Sequence, residues 1–160
     1  MRKIVLVVAL FLGNQAVGML SDATLDSSSA QRSNDENAHA ATFVTKWQSQ
    51  LLLLPPLSVT KNAAFALNYL DFPDDFERRL TNLNRHNIPK AKILELSYTL
   101  SGIITHAQTL DPNLMVALSQ YRAGYLPAQH TKCLDELLNE SCKELLAKEH
   151  QRTHARCIIL

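Results

Sequence analysis

The chain has 160 residues, of which 16 are Lys or Arg and 15 are Asp or Glu, so its formal net charge is only +1. Proteins whose main task is to neutralise nucleic-acid phosphates carry a marked basic excess, and the near-neutral balance therefore argues against nucleic acid as the principal partner. The length suits a single domain, large enough to bury a core without a dense disulfide framework.

The first residues have the three parts of a secretory signal peptide. Arg2 and Lys3 are a positive n-region, residues 4–12 are an uninterrupted apolar run, and Ala16 and Gly18 are small residues at the −3 and −1 positions of a cleavage site. A membrane anchor is the alternative, but the apolar run is about half the ~20 residues that cross a bilayer. We predict that a signal peptide is cleaved after Gly18 and that the protein is secreted.

After the signal peptide of residues 1–18, the composition changes. Residues 21–37 are rich in Ser, Asp and Asn and poor in large apolar residues, so they cannot bury enough surface to offset the entropy lost on ordering. We predict a disordered polar leader over 19–37, which is either a tail without a role or a processing or translocation segment. A helical interaction domain over 38–150 and a basic C-terminal tail over 151–160 follow.

Beyond the leader, apolar residues recur at helical spacing between Pro, Asn and Gly residues. Residues 90–110 have the strongest pattern, and Asp111 followed by Pro112 is a cap with proline at the first helical position. The predicted helices cover 43–54, 60–71, 76–83, 90–110, 112–124 and 132–150. Because Gly is scarce and no hairpin turn is found, we predict an all-α fold, a compact bundle of about five to six short helices.

The chain has three cysteines, an odd number for a protein that enters an oxidising compartment. If Cys133 and Cys142 share one continuous helix, their Cα atoms are roughly 13 Å apart, beyond the ~7 Å limit for a disulfide. Cys157 begins a C-terminal C-a-a-X prenylation signal, whose final Leu favours geranylgeranyl. Prenylation is cytosolic, so this signal conflicts with secretion unless the protein enters another cell. The alternatives are coincidence and an apolar C-terminus that packs on the bundle.

Two further motifs lie near the C-terminus. His150, His154 and Cys157 are spaced i, i+4 and i+7, and imidazole with thiolate suits zinc. Only three ligands are local, so we interpret the segment as a solvated basic tail and predict no metal site and no cofactor. Asn139 begins the one N-glycosylation triplet, and the helical pattern predicts that its side chain points outward.

Motifs of common enzymes are missing from the sequence. We find no G-x-S-x-G elbow, no paired-carboxylate site, no H-E-x-x-H helix and no Gly-rich phosphate loop. A cysteine nucleophile would need a His base beside it, and one sequence cannot show which residues lie side by side in the fold. We therefore predict that the protein is not an enzyme.

The order of signal peptide, polar leader and helical domain resembles that of the RxLR class of secreted effectors from plant-pathogenic oomycetes. The translocation-like segment occupies the place of the family's translocation motif and acidic patch, although Arg-x-Leu-Arg itself is absent; it comprises Gln31, Arg32, Ser33, Asn34, Asp35 and Glu36. Trp47, the prolines at 55–56, Val59 and then Phe65 and Leu67 look like the first half of the family's helical module. Tyr98 is the candidate for the tyrosine that this module pairs with its tryptophan.

The resemblance implies a protein without catalytic activity that enters host plant cells, binds a host protein and suppresses defence or cell death. Its location would be the host cytoplasm, nucleus or membrane, and host enzymes could prenylate Cys157. Two other hypotheses remain from the residues alone. One is a secreted helical carrier or binding protein for an apolar ligand, and the other is a secreted enzyme without a readable motif.

Overall fold

The computed structural model describes residues 26–58 and 72–157. These two ranges hold five helices and no strand, so the predicted all-α class is confirmed. The helices are α1 (Asp26–Leu51), α2 (Phe72–Leu83), α3 (Lys90–Leu110), α4 (Pro112–Arg122) and α5 (Ala128–Cys157). The predicted signal peptide, the predicted helix at 60–71 and the last three residues of the C-a-a-X signal lie outside the described residues. None of the described helices combines the length and apolarity that crossing a bilayer requires.

Local signals in the sequence set the ends of the middle helices. α3 covers residues 90–110, as predicted. The Asp111 carboxylate caps α4 by accepting a hydrogen bond from the Asn113 backbone N–H at 2.9 Å. After α4, Gly124 adopts a positive φ of 73°, a conformation in which a side chain would be strained. The chain can therefore turn there and enter α5.

The bundle is built around α3, which packs against α1, α2, α4 and α5. Apolar side chains from all five helices meet in one core, because each helix turns its apolar residues toward α3 or α5. Its largest fully buried apolar side chains are Trp47, Phe76, Leu80, Leu100, Ile104, Leu114, Leu118, Leu134, Leu137 and Leu138. This packing supplies most of the driving force for folding.

The predicted leader over 19–37 overlaps α1, because residues 26–37 are helical. Ala40, Phe43 and Trp47 bury one face of α1, and a helix that is already nucleated grows at little further cost. Polar residues can then continue it, and the Glu36 carboxylate lies against α3 beside Gly102. Composition alone does not reveal this packing.

Two other expectations need correction. α5 continues through residues 151–157, so most of the predicted tail extends the last helix. Trp47 is fully buried, but Tyr98, the candidate tyrosine for pairing with it, is 59% exposed on α3 and is not its core partner. Tyr98 lies on the solvent side of the helix, opposite the buried face that includes Leu96, Leu100 and Ile103.

Candidate functional site

A cleft of about 450 Å³, which we name the charged cleft, opens between α1, α3 and α5. Its floor is apolar and consists of Leu96 and Ile103 from α3 and Leu145 from α5. Asp35, Glu36 and His39 of α1 form the facing wall, so the cleft depends on the part of α1 that precedes its predicted start.

Charged side chains of both signs surround this apolar floor. α1 and α3 contribute the carboxylates of Asp35, Glu36 and Glu95. α5 contributes the cations Lys148 and Arg152, which are one turn apart on the same face. The cleft therefore offers charges of both signs to a ligand, and we name the pair Lys148 and Arg152 its basic edge.

Two lysines in the cleft hold the helices in place. Lys92 Nζ lies 2.9 Å from Glu95 Oε2 and 3.6 Å from Glu149 Oε2, which links α3 to α5. Glu149 is only 8% exposed, so its carboxylate depends on this cation to offset the loss of water. Lys148 Nζ lies 2.7 Å from His39 Nε2, and this contact links α5 to α1.

A second link between α1 and α5 lies directly below the cleft. Lys46 Nζ donates to Glu140 and to Glu144, each at 2.9 Å. These two hydrogen bonds raise the pKa of Lys46 above its ordinary value. Because all three side chains are at least one-third exposed, the link orients α1 more than it stabilises the fold.

The translocation-like segment, residues 31–36, lies on α1. Asn34 is exposed, whereas Asp35 and Glu36 line the charged cleft. The backbone of Gln31, Arg32 and Ser33 is helical. The acidic part of this segment is thus positioned to contact whatever the cleft binds.

The predicted glycosylation site is not on an outward face. Asn139 is half-buried, and its Oδ1 accepts a hydrogen bond from Arg79 Nη1 at 3.1 Å. A glycan would be attached to Nδ2 of this half-buried side chain and would need space beside Arg79. Asn139 follows the inward-facing Leu138, and the helical spacing therefore predicted an outward side chain. However, α2 packs against the side of α5 on which Asn139 lies.

Sequence reasoning missed the polar network around Arg79, which is 13% exposed. Its guanidinium donates to Asp75 Oδ2 at 2.6 Å, Asp135 Oδ1 at 2.8 Å and the Tyr121 hydroxyl at 2.6 Å, besides Asn139. Burial and the hydrogen bond from its hydroxyl to Asp135 raise the pKa of Tyr121 to about 12. The carboxylates of Asp75 and Asp135 balance the charge of Arg79, and the raised pKa of Tyr121 keeps its hydroxyl protonated at neutral pH. The network therefore joins α2, α4 and α5 and offers no reactive group.

The two described thiols are also unreactive. Cys133 and Cys142 lie on the continuous α5, the condition under which the spacing excludes a bridge between them, and both are free and buried. Cys133 Sγ donates to Gln50 Oε1 at 2.6 Å, and burial raises the pKa of Cys142 to about 12. Neither thiol is the activated thiolate that nucleophilic catalysis needs. The side chain of Cys157 lies outside the described residues.

Three histidines lie close together on the side of α5 that faces away from the charged cleft. The His150 ring stacks on His86, with ring centroids 3.9 Å apart, and meets His154 edge-on at 4.4 Å. Partial desolvation and the two neighbouring rings lower the pKa of His150. Within the described part of the chain, no three His, Cys, Asp or Glu side chains are arranged to hold a metal ion as they stand.

Comparison with known proteins found no matching family, no matching curated protein and no matching solved structure.

Proposed function

We propose that the protein is a secreted effector that enters host plant cells and suppresses defence or cell death by binding a host protein, without catalysis. The charged cleft would be its binding site. The predicted signal peptide supports export, and the C-a-a-X signal at Cys157, which only cytosolic enzymes can modify, supports a destination inside another cell.

The single observation that carries the proposal is the composition of the cleft. An apolar floor bordered by charges of both signs matches the anatomy of a protein interface, in which a buried apolar centre is surrounded by a polar rim. A partner segment with an apolar strip and flanking charges of both signs would complement it. Charge complementarity then selects the partner and fixes its register.

The alternative of a carrier for an apolar ligand has less support from this site. A carrier site buries most of its ligand among apolar side chains. The charged cleft instead borders its three apolar residues with Asp35, Lys148, Arg152 and other charged groups. An apolar ligand would strip water from these groups without replacing its hydrogen bonds.

The proposal is tested by expressing residues 19–160 in leaf cells and scoring cell death triggered by an immune elicitor. We expect the unaltered chain to suppress cell death and the double variant Lys148→Glu with Arg152→Glu to lose most of that suppression, because the basic edge of the cleft becomes acidic. Lys132→Glu, an exposed lysine on the same helix outside the cleft, is the matched control and should retain full suppression.

Circular dichroism of the purified variants shows whether α5 remains helical, and immunoblotting shows whether they accumulate equally. No suppression by the unaltered chain would contradict the effector role. Equal suppression by the double variant would remove the charged cleft as the binding site.

A further inference from the structure

Three imidazoles from two separate parts of the chain meet on the surface of α5. His86 comes from the loop between α2 and α3, and His150 and His154 come from α5. The centroids of neighbouring rings are 3.9 Å and 4.4 Å apart, with interplanar angles of 13° and 87°. His86 and His154 are exposed and His150 is half-buried, so solvent and ions can reach them.

The backbone on both sides of this group is well fixed. Asn84 accepts a hydrogen bond from the Ile88 N–H at 3.0 Å and donates one to the Ile88 carbonyl at 2.9 Å, which closes the loop that carries His86. On α5, His150 and His154 are four residues apart and share one face. Two histidines at this spacing on a helix are a common pair of zinc ligands.

We propose that His86, His150 and His154 bind one divalent transition-metal ion, with Zn²⁺ as the working probe. Three neutral imidazoles favour Zn²⁺, Cu²⁺ or Ni²⁺ over Mg²⁺ and Ca²⁺, which prefer oxygen ligands. A water molecule would complete a tetrahedral zinc site. The proposal departs from the interpretation of a solvated tail without a metal site, because the fold adds His86, a ligand distant in the sequence.

Binding requires a small rearrangement of exposed side chains only. The stacked rings do not converge on one point as they stand. Three imidazoles bound to one ion at ~2.1 Å have ring centroids roughly 5 Å apart, so the rings must separate by about 1 Å, and the stacked rings of His86 and His150 must also leave their parallel arrangement. The side chains of His86 and His154 face solvent, so rotation about their side-chain bonds does not disturb the core.

The site would tie the α2–α3 loop to the last turns of α5. The cavity beside His86 is bordered by Arg85 and Lys143, and its lining includes no carboxylate. These two cations weaken the attraction of the site for the ion, so we expect moderate affinity. The inference is independent of the proposed effector function, since it concerns another face of α5.

The test uses the untagged chain without its signal peptide, titrated with ZnCl₂ by isothermal titration calorimetry. We expect one Zn²⁺ per chain and a rise in melting temperature, since a ligand that binds only the folded state stabilises it. Each of His86→Ala, His150→Ala and His154→Ala should weaken binding by about tenfold or more. His106→Ala on α3 and Cys157→Ser are the controls and should bind as tightly as the unaltered chain, and MgCl₂ should give no heat.

Absence of Zn²⁺ binding by the unaltered chain would overturn the proposal. Retained affinity in the His86 variant would show that this residue is not a ligand, and loss of binding in Cys157→Ser would assign the ion to the thiol. Since the side chains of His86, His150 and His154 are exposed or half-buried, unchanged circular dichroism of each variant keeps these outcomes separate from misfolding.

Discussion

Arg79 and Asp75 form a partly buried salt bridge whose two charges contribute to the stability of the fold. Burial of Asp75 by itself raises its pKa, but the hydrogen bonds from Arg79 and Arg78 outweigh that effect and lower the pKa below its ordinary value. Arg79 also reaches Asp135 and Tyr121, so the pair belongs to a network that spans three helices. Breaking one member of such a network leaves the other charges without partners.

Asp75→Asn is expected to lower the free energy of unfolding by about 1–3 kcal/mol at pH 7, as for loss of a hydrogen bond between charged groups. A carboxylate with a lowered folded-state pKa contributes stability above its unfolded pKa and loses it as pH falls through the folded value. The stability of the variant should therefore fall less than that of the unaltered chain below about pH 4. Urea unfolding between pH 7 and pH 2 measures both effects.

Asp74→Asn is the matched control, because Asp74 is the exposed neighbour of Asp75 on the same helix. It should leave the stability at pH 7 and its slope in acid nearly unchanged. If both variants behave alike, the network around Arg79 does not govern acid stability.

At the scale of elements, the sequence predicts the middle of the bundle better than its ends. α3 lies between Pro89 and Asp111. Asp111 caps α4, which begins at Pro112 and ends before Gly124, so short-range signals are sufficient to predict both helices. The N-terminal part of α1 has no such signal. Its order depends on contacts with α3 and α5, such as that between His39 and Lys148, which are far apart in sequence.

The same limit applies to the candidate sites. The charged cleft needs residues from α1, α3 and α5, and the His86 contact joins a loop to the last helix. The i, i+4 pairs within α5 are visible in the sequence, whereas their partners on other helices are not. Local spacing therefore predicts only the part of each site that lies on α5, and the packing of the helices supplies the rest.

Asn37→Pro tests whether the N-terminal half of α1 is a helix that forms one wall of the cleft. Proline in a helix interior removes a backbone hydrogen bond and clashes with the preceding turn, at a cost of about 3 kcal/mol. We expect a smaller helical circular dichroism signal and faster proteolysis before residue 37, while the buried core still unfolds cooperatively. Asn37 is exposed, so Asn37→Ala is a control that should keep the full helical signal.

An unchanged helical signal in the proline variant would contradict the assignment of residues 26–37 to α1. Loss of the whole cooperative transition would mean that this segment belongs to the core and does not simply line the cleft.

For the whole molecule, export, fold and site support one interpretation. The proposed function requires export, for which the predicted signal peptide would be the means, and the described helices bury a core without a disulfide between Cys133 and Cys142. A fold that does not need this bond can persist in the reducing cytosol of another cell. Under the proposed function, the protein would bind a host protein there through the charged cleft.

The most direct test places a photo-crosslinking amino acid inside the cleft in plant cells. Thr99 lines the cleft on α3, whereas Thr105 on the same helix is exposed and outside it. The account predicts that irradiation of the Thr99 variant yields a discrete covalent adduct with one host protein, absent from the Thr105 variant and lost when Lys148→Glu and Arg152→Glu are added. No adduct at Thr99, or the same adducts at both positions, would contradict binding of a host protein through the charged cleft.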